Sequence, residues 1–286
     1  MRVLLIVLCC IVTLPALAQE TDEDSLGSVA PRISLPSALG LEKRAVSVSY
    51  SFQGASHSGR DLTSHQAEIA AGVTDRVDVA LDYHSLDATG RSAANTLDVA
   101  TIGVQVRYDQ ELFDEPGALF FGYRHSNAFA LLNGATQDPP NADSYTLGAV
   151  RSSTWGDDRM LHAVGSLSLS EVGSQSAWTF MGGAGVDYPL RHGLTARGDL
   201  ALFGNTGDKS SFEAAVSGGL HYESGGFSAD VMGTFLPSGA PIAGNPLADA
   251  SVFVLYPVFG NTGVAQDLAS DSIGFYTVRV GYTKEF

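Results

Sequence analysis

"GYRHSNAF", residues 122–129, sets a histidine, His125, directly beside a hydroxyl, Ser126. A serine becomes a nucleophile only when an imidazole can take its proton, so the two side chains must meet on one face. Neighbouring residues of a regular strand point to opposite faces, and here no residue intervenes. A bulge would be needed to align the pair, with Asp143 available to orient the imidazole. Without a bulge the segment is a His-Ser-Asn at a loop mouth, and no catalytic residue is expected.

The other candidate motifs carry less. His57, His65, His84, His162, His192 and His221 lack the short spacings at which one element holds a zinc ion, so no metal site is expected. "MGGAGVD", residues 181–187, clusters glycines as a phosphate-cradling loop does, but no helix follows it. It suits a strand that a neighbouring backbone approaches closely. No cofactor is implied.

The charged residues are more informative. Glu68, Asp78, Asp82, Arg107, Arg124, Asp187, Arg197, Asp199, Glu213, Asp230 and Arg279 each fall one position out of step with an apolar set, among Gly, Ser, Ala and Thr. They are the candidate lining of a polar interior. Such a lining is either a water-filled passage or a salt-bridge lattice that fills the lumen. Acids outnumber arginines in this set, which favours weak cation selectivity in a confined pore.

What positions these residues is alternation. From about Ala45 onward the chain consists of twelve short segments of period two, separated by turn-rich clusters. Representative apolar sets are Val46, Val48, Tyr50 and Phe52; Val77, Val79, Leu81 and Tyr83; Ile102, Val104, Val106 and Tyr108; and, in the closing "FYTVRVGYTKEF", Tyr276, Val278, Val280, Tyr282 and Phe286. A soluble sandwich would share this pattern, with its apolar faces inside. Two features favour a membrane barrel instead. Short connections, such as residues 74–76, 189–193 and 224–225, alternate imperfectly with longer ones at about 54–64, 85–95, 126–141 and 237–272. Aromatics also cluster at both segment ends: Tyr50, Phe52, Tyr83, Tyr123, Trp178, Phe212 and Phe235 at one, and Tyr108, Tyr188, Tyr222, Phe227, Tyr282 and Phe286 at the other. Girdles flanking an aliphatic band match a bilayer with two interfaces.

Residues 1–18 have a basic start, an apolar run and an Ala-Leu-Ala ending, the pattern of a secretory signal peptide. Both cysteines, Cys9 and Cys10, lie within it, so the rest of the chain offers no disulfide or thiol chemistry. Loss of Arg2 would take the formal charge from −15 to −16, which argues against nucleic acid as a partner. Residues 19–44, with Pro31, Pro36 and Gly40, are either a periplasmic lead-in or a partial plug.

With these residues in view, the span 45–286 resembles the Gram-negative outer-membrane β-barrel proteins of porin or transport type. The resemblance implies that Tyr282 and Phe286 form a terminal signal for the barrel-assembly machinery. The segment "GVTDRVDV", residues 72–79, is similar to a turn of outer-membrane transport proteins. "RHSN" is similar to the His-x-Ser-Asn pattern of outer-membrane phospholipases and lipid A deacylases, from which it departs by the missing spacer.

The expected molecule is thus an all-β protein, a transmembrane antiparallel β-barrel of about twelve strands in an up-and-down meander. Outer-membrane lipid would surround it and both termini would be periplasmic. Its expected function is a narrow passive channel for a small solute, with a lipid hydrolase or a non-conducting structural or adhesive barrel as alternatives.

Overall fold

The computed structural model describes residues 40–57, 60–89, 96–132, 135–137, 141–156, 159–172, 175–205, 212–236 and 273–286. The strands are β1 (Ala45–His57), β2 (Arg60–Gly72), β3 (Val77–Thr89), β4 (Thr96–Leu112), β5 (Glu115–Leu132), β6 (Ala135–Gln137), β7 (Ala142–Trp155), β8 (Arg159–Val172), β9 (Gln175–Arg191), β10 (Leu194–Asn205), β11 (Phe212–Ser224), β12 (Phe227–Leu236) and β13 (Ile273–Glu285). Each pairs antiparallel with its chain neighbour, except that β6 is a short spur on β5, which pairs onward with β7. β13 pairs with β1 from Ala45↔Glu285 to Gly54↔Tyr276, so the twelve long strands form a closed meander. Closure leaves no long strand with an unpaired edge, the condition for crossing lipid with strands.

Burial decides which face meets what. The apolar sets are exposed: Ile102 is 65% accessible, Leu147 62% and Leu81 59%. Their polar strand neighbours are enclosed, with Ser152, His162 and Asp230 all at 2% or less. A water-soluble sandwich would show the reverse. The outward aliphatic band and its aromatic rims instead require a hydrocarbon solvent.

Three hairpins at one end turn on two residues. Phe113 and Asp114, His192 and Gly193, and Gly225 and Gly226 all adopt positive φ, as type I′ turns demand. Glycine accepts that conformation freely, whereas Phe113 is strained in it. This end, which also holds the β2–β3 turn and the two ends of the closing β1–β13 pair, is called the short-turn end below.

The connections depart from the sequence expectation in one respect. The stretch 54–64, expected as a long loop, is strand except at residues 58–59, which lie outside the described residues, and of the expected loop 85–95 residues 85–89 belong to β3: β1 runs to His57, β2 starts at Arg60, and β3 runs to Thr89. On the opposite side, β4 and β5 are joined by the Phe113–Asp114 turn alone. The reason is that ladder pairing continues past the aromatic rim, where side chains no longer need to be apolar. Ser64 Oγ, for example, lies 2.5 Å from His84 Nε2 across β2 and β3 in a segment expected to be loop. The segment 237–272 and the lead-in before residue 40 lie outside the described residues.

Candidate functional site: the zoned barrel interior

Apart from the Ser47–Thr283 hydroxyl pair at the β1–β13 seam, inward positions sort into two zones by distance from the short turns. Near those turns lies a belt of charge. Arg197 on β10 stands between two acids, with Nη1 donating to Asp230 Oδ1 at 2.8 Å and Nε 3.5 Å from Asp187 Oδ1. Arg124 Nε donates to Asp82 Oδ1 at 3.2 Å, and Arg279 reaches Glu68 at 3.6 Å and Ser49 Oγ at 3.0 Å. Arg107 Nε binds Asp109 at 2.7 Å.

Most of these pairs vault a strand. Asp82 and Arg124 sit on β3 and β5, and the residue between them on β4 is Gly103, paired to both. A Cβ there would lie 2.2 Å from the Asp82 carboxylate, so only glycine leaves room for the bridge. The other two bridges cross obliquely: Arg197–Asp230 passes Gly219, opposite Arg197, and His221, opposite Asp230 and 2.9 Å from it through Nδ1, while Glu68–Arg279 passes Ser49, opposite Glu68, and Ser51, opposite Arg279. Small residues on alternate strands thus let charges two strands apart meet.

Farther from the turns the interior is lined by small hydroxyls. Thr101 and Ser126 are 2.8 Å apart, Thr146 and Ser168 2.8 Å, Ser144 and Ser170 3.0 Å, and Ser217 and Thr234 2.9 Å. Each pair joins residues directly opposite in the register. One sector near the turns is apolar: Ala118, Phe120, Val150, Met160 and Val164 on β5, β7 and β8 are inward and buried. The Phe120 ring lies over Gly148, whose position admits no Cβ.

Of the expected lining residues, Glu68, Asp78, Asp82, Arg107, Arg124, Asp187, Arg197, Asp199, Asp230 and Arg279 all have inward registers and are buried or half-buried. Asp187, Arg197 and Asp230 form a contiguous group on β9, β10 and β12, and Asp199 follows two residues along β10 on the same face. Asp78 differs from the bridged acids: it accepts the Leu41 backbone N–H at 2.9 Å. The chain just before β1 therefore lies against the inner wall, where Gly40 meets Asp78 and Asp109 too closely for a side chain. Glu213 pairs with Phe203 in the ladder, and its side chain, like that of Phe212, lies outside the described residues.

His125 and Ser126 point to opposite faces, as regular strand geometry requires. His125 is outward and half-exposed, with Nδ1 2.9 Å from Asp143 Oδ1, to which the Tyr123 hydroxyl also donates at 2.8 Å. Ser126 is inward and bound to Thr101. No bulge joins them. A Ser-His-Asp alignment does occur elsewhere: Ser152 Oγ is 2.7 Å from His162 Nδ1, and His162 Nε2 is 3.3 Å from Asp187 Oδ2. Its serine is 0% accessible, so no scissile carbonyl can reach it, and the group serves as an extension of the Arg197 belt. Single-strand patterns could not reveal it because its members come from β7, β8 and β9.

Sequence reasoning also missed Arg151. It has the outward parity of Leu147, yet it is 3% accessible beneath Phe113, whose ring centroid is 5.8 Å from the guanidinium and whose carbonyl accepts from Nη2 at 3.4 Å. Glu115 lies 3.7 Å away. A lipid-facing arginine is shielded in this way by the neighbouring hairpin. At the terminal strand, Tyr282 faces out and pairs with Val48 and Phe227, and Phe286 is 73% accessible, with Lys284 Nζ 5.0 Å from its ring centroid.

No family model and no curated protein matches the chain. Solved structures do. The translocator domain of the autotransporter NalP from Neisseria meningitidis aligns with TM-score 0.52 at 12% identity, covering 85% of this chain and 88% of that one. An outer membrane channel from Pseudomonas putida F1 aligns with TM-score 0.53 at 11% identity, covering 86% and 97%. The β domain of the Bordetella autotransporter BrkA aligns with TM-score 0.52 at 13% identity, covering 85% and 98%. Identities this low speak to fold alone, and on that point they agree with the closed, outward-apolar sheet: the chain has the fold of the outer-membrane β-barrels.

Proposed function

We propose that the chain is a narrow passive channel for small hydrophilic solutes in the outer membrane of a Gram-negative bacterium, with the short turns and both termini in the periplasm. The observation that carries this reading is the zoned polar interior. A barrel whose only task was to anchor could fill its lumen with apolar side chains, as the Phe120 sector does locally. Here hydroxyls line the half away from the turns, and charge is concentrated in one belt. Twelve strands enclose a bore between the filled eight-stranded barrels and the open pores of sixteen or more. The belt narrows that bore further and makes it the selecting element.

The outer membrane channel from Pseudomonas putida supports the reading by fold, as does the porin NanC with TM-score 0.50 and 10% identity. The hydrolase alternative loses its support, because His125 and Ser126 do not share a face and Ser152 is sealed. In this reading Tyr282 and Phe286 are recognised by the barrel-assembly machinery.

Two measurements test the proposal. Purified protein in a planar bilayer should give discrete, salt-dependent conductance steps; a silent membrane at high protein loading would leave a structural or adhesive barrel instead. Asp75→Cys, in the exposed β2–β3 turn, should resist an impermeant maleimide in intact cells and react after the outer membrane is opened. Labelling in intact cells would invert the orientation.

A further inference from the structure

The outward face carries a concave feature at its short-turn end. At the short-turn end of β9, β10 and β11 a cavity of about 610 Å³ is bounded by Tyr188, Leu190, Leu194 and Tyr222, with Arg191 in its wall. Its origin is a break in register. Leu194 pairs with Arg191 while Thr195 pairs with Pro189, so Leu190 is an extra residue on β9, and the strand bulges there. Pro189 has no N–H to lose from the ladder, which makes this an economical place for the irregularity. The bulge leaves Leu190 standing out at the level of the aromatic rim, 44% accessible.

Beside this apolar hollow stands cationic charge. Tyr188 bounds the cavity and also carries the Arg159 guanidinium 4.8 Å from its ring centroid; the Trp155 ring lies 5.5 Å from the same guanidinium. Two aromatic rings thus hold Arg159 at the rim without an acidic partner among the described ion pairs, and Arg191 lies at the end of the same strand as Tyr188. Stacked guanidinium groups keep their donors free for a planar or tetrahedral oxyanion.

We propose that this hollow binds one anionic glycerophospholipid, with an acyl chain against Leu190 and Leu194 and the headgroup phosphate between Arg159 and Arg191. The volume lies within the range of about 300–1,000 Å³ usual for small-molecule sites. Lipid chemistry follows from the position. An apolar floor opening onto hydrocarbon beside cations at the headgroup level fits an amphiphile with a negative head, and a free phosphate would leave the floor unfilled. The functional reading enters only in deciding which leaflet supplies the lipid: with the short turns in the periplasm, it is the inner one.

Native mass spectrometry of the protein released from nanodiscs of equal phosphatidylglycerol and phosphatidylcholine tests the site. The wild type should retain one phosphatidylglycerol in preference to phosphatidylcholine. Arg159→Gln combined with Arg191→Gln should lower that retention by about tenfold, on the scale of two lost charge-assisted contacts. Leu190→Asn should shorten retention of both lipids while leaving the preference intact. Equal retention of the two lipids by the wild type would overturn the proposal whether or not the variants fold, as would an unchanged preference in a double variant that keeps its heat-modifiable gel migration. Both faces of a nanodisc carry the same lipids, so this result stands apart from orientation, which the Asp75→Cys labelling decides.

Discussion

The two zones of the interior are built by different rules. In the hydroxyl zone each contact joins residues directly opposite in the ladder, such as Thr146 with Ser168, and so repeats a connection that the backbone already makes. In the charged belt, Asp82–Arg124, Glu68–Arg279 and Arg197–Asp230 each skip a strand and tie together elements that share no backbone hydrogen bond. The first kind of contact lines a wall. The second braces a cross-section, and it demands a small residue on the strand it passes over. The belt should accordingly govern stability and ion preference together, whereas the hydroxyl zone should be tolerant on both counts.

The sharpest way to break this contrast is Arg197→Met. Both Asp187 and Asp230 would lose their shared cation inside a wall where each side chain is 6% accessible or less, a loss on the order of 3–5 kcal/mol. The temperature at which the folded gel band converts to the unfolded one should fall markedly. An unchanged temperature would mean that water already screens the belt and that the two zones do not differ. Gly103→Ala attacks the same brace from the vaulted strand. Its new methyl group would collide with the Asp82 carboxylate and displace the Arg124 bridge, at a cost of about 1–3 kcal/mol by the same gel assay.

Smaller effects sharpen the comparison. Thr146→Val leaves the Ser168 hydroxyl without its partner and should cost about 1 kcal/mol, with conductance and ion preference unchanged. The last prediction concerns sign. Asp78 is held by a backbone N–H, and no arginine bridge to it is seen among the described ion pairs, so its charge contributes to the field at the mouth more fully than that of Asp82. The wild type should be weakly cation-selective in a KCl gradient. Asp78→Asn should move the reversal potential toward neutrality by several millivolts, and Asp82→Asn should move it further by unmasking Arg124. Clear anion selectivity in the wild type would defeat this view of the belt.

The parts of this molecule that were legible in its sequence are those that one strand can express by itself. Each of the twelve alternating segments falls on its own long strand, with Val73 and Phe286 one residue beyond the ends of β2 and β13, because inside and outside impose opposite solvents at period two and any slip would put Arg197 or Asp230 into lipid. The separation of His125 from Ser126 was legible for the same reason. Loop lengths were not, since polar alternation in β1, β2 and β3 continues beyond the membrane band and mimics loop composition. The Ser152–His162–Asp187 alignment and the strand-skipping bridges depend on register between strands, which no single segment encodes. Arg151 stayed hidden because its shelter comes from a turn on another hairpin, at Phe113.

The pairing of β1 with β13 has a consequence in time. The side-chain contacts that seal this seam, Arg279 with Ser49 and Thr283 with Ser47, join residues 230 and 236 positions apart. Most ladder pairs form between neighbours and could be made as the chain emerges, but the seam requires the first strand to wait for the last. Until then two strand edges would face hydrocarbon with their amide and carbonyl groups unpaired, at several kcal/mol for each group. Insertion can therefore not proceed strand by strand in open lipid. Closure and insertion are thereby coupled, and the contacts of greatest sequence separation, which are the slowest to form, are also the ones that complete the ring.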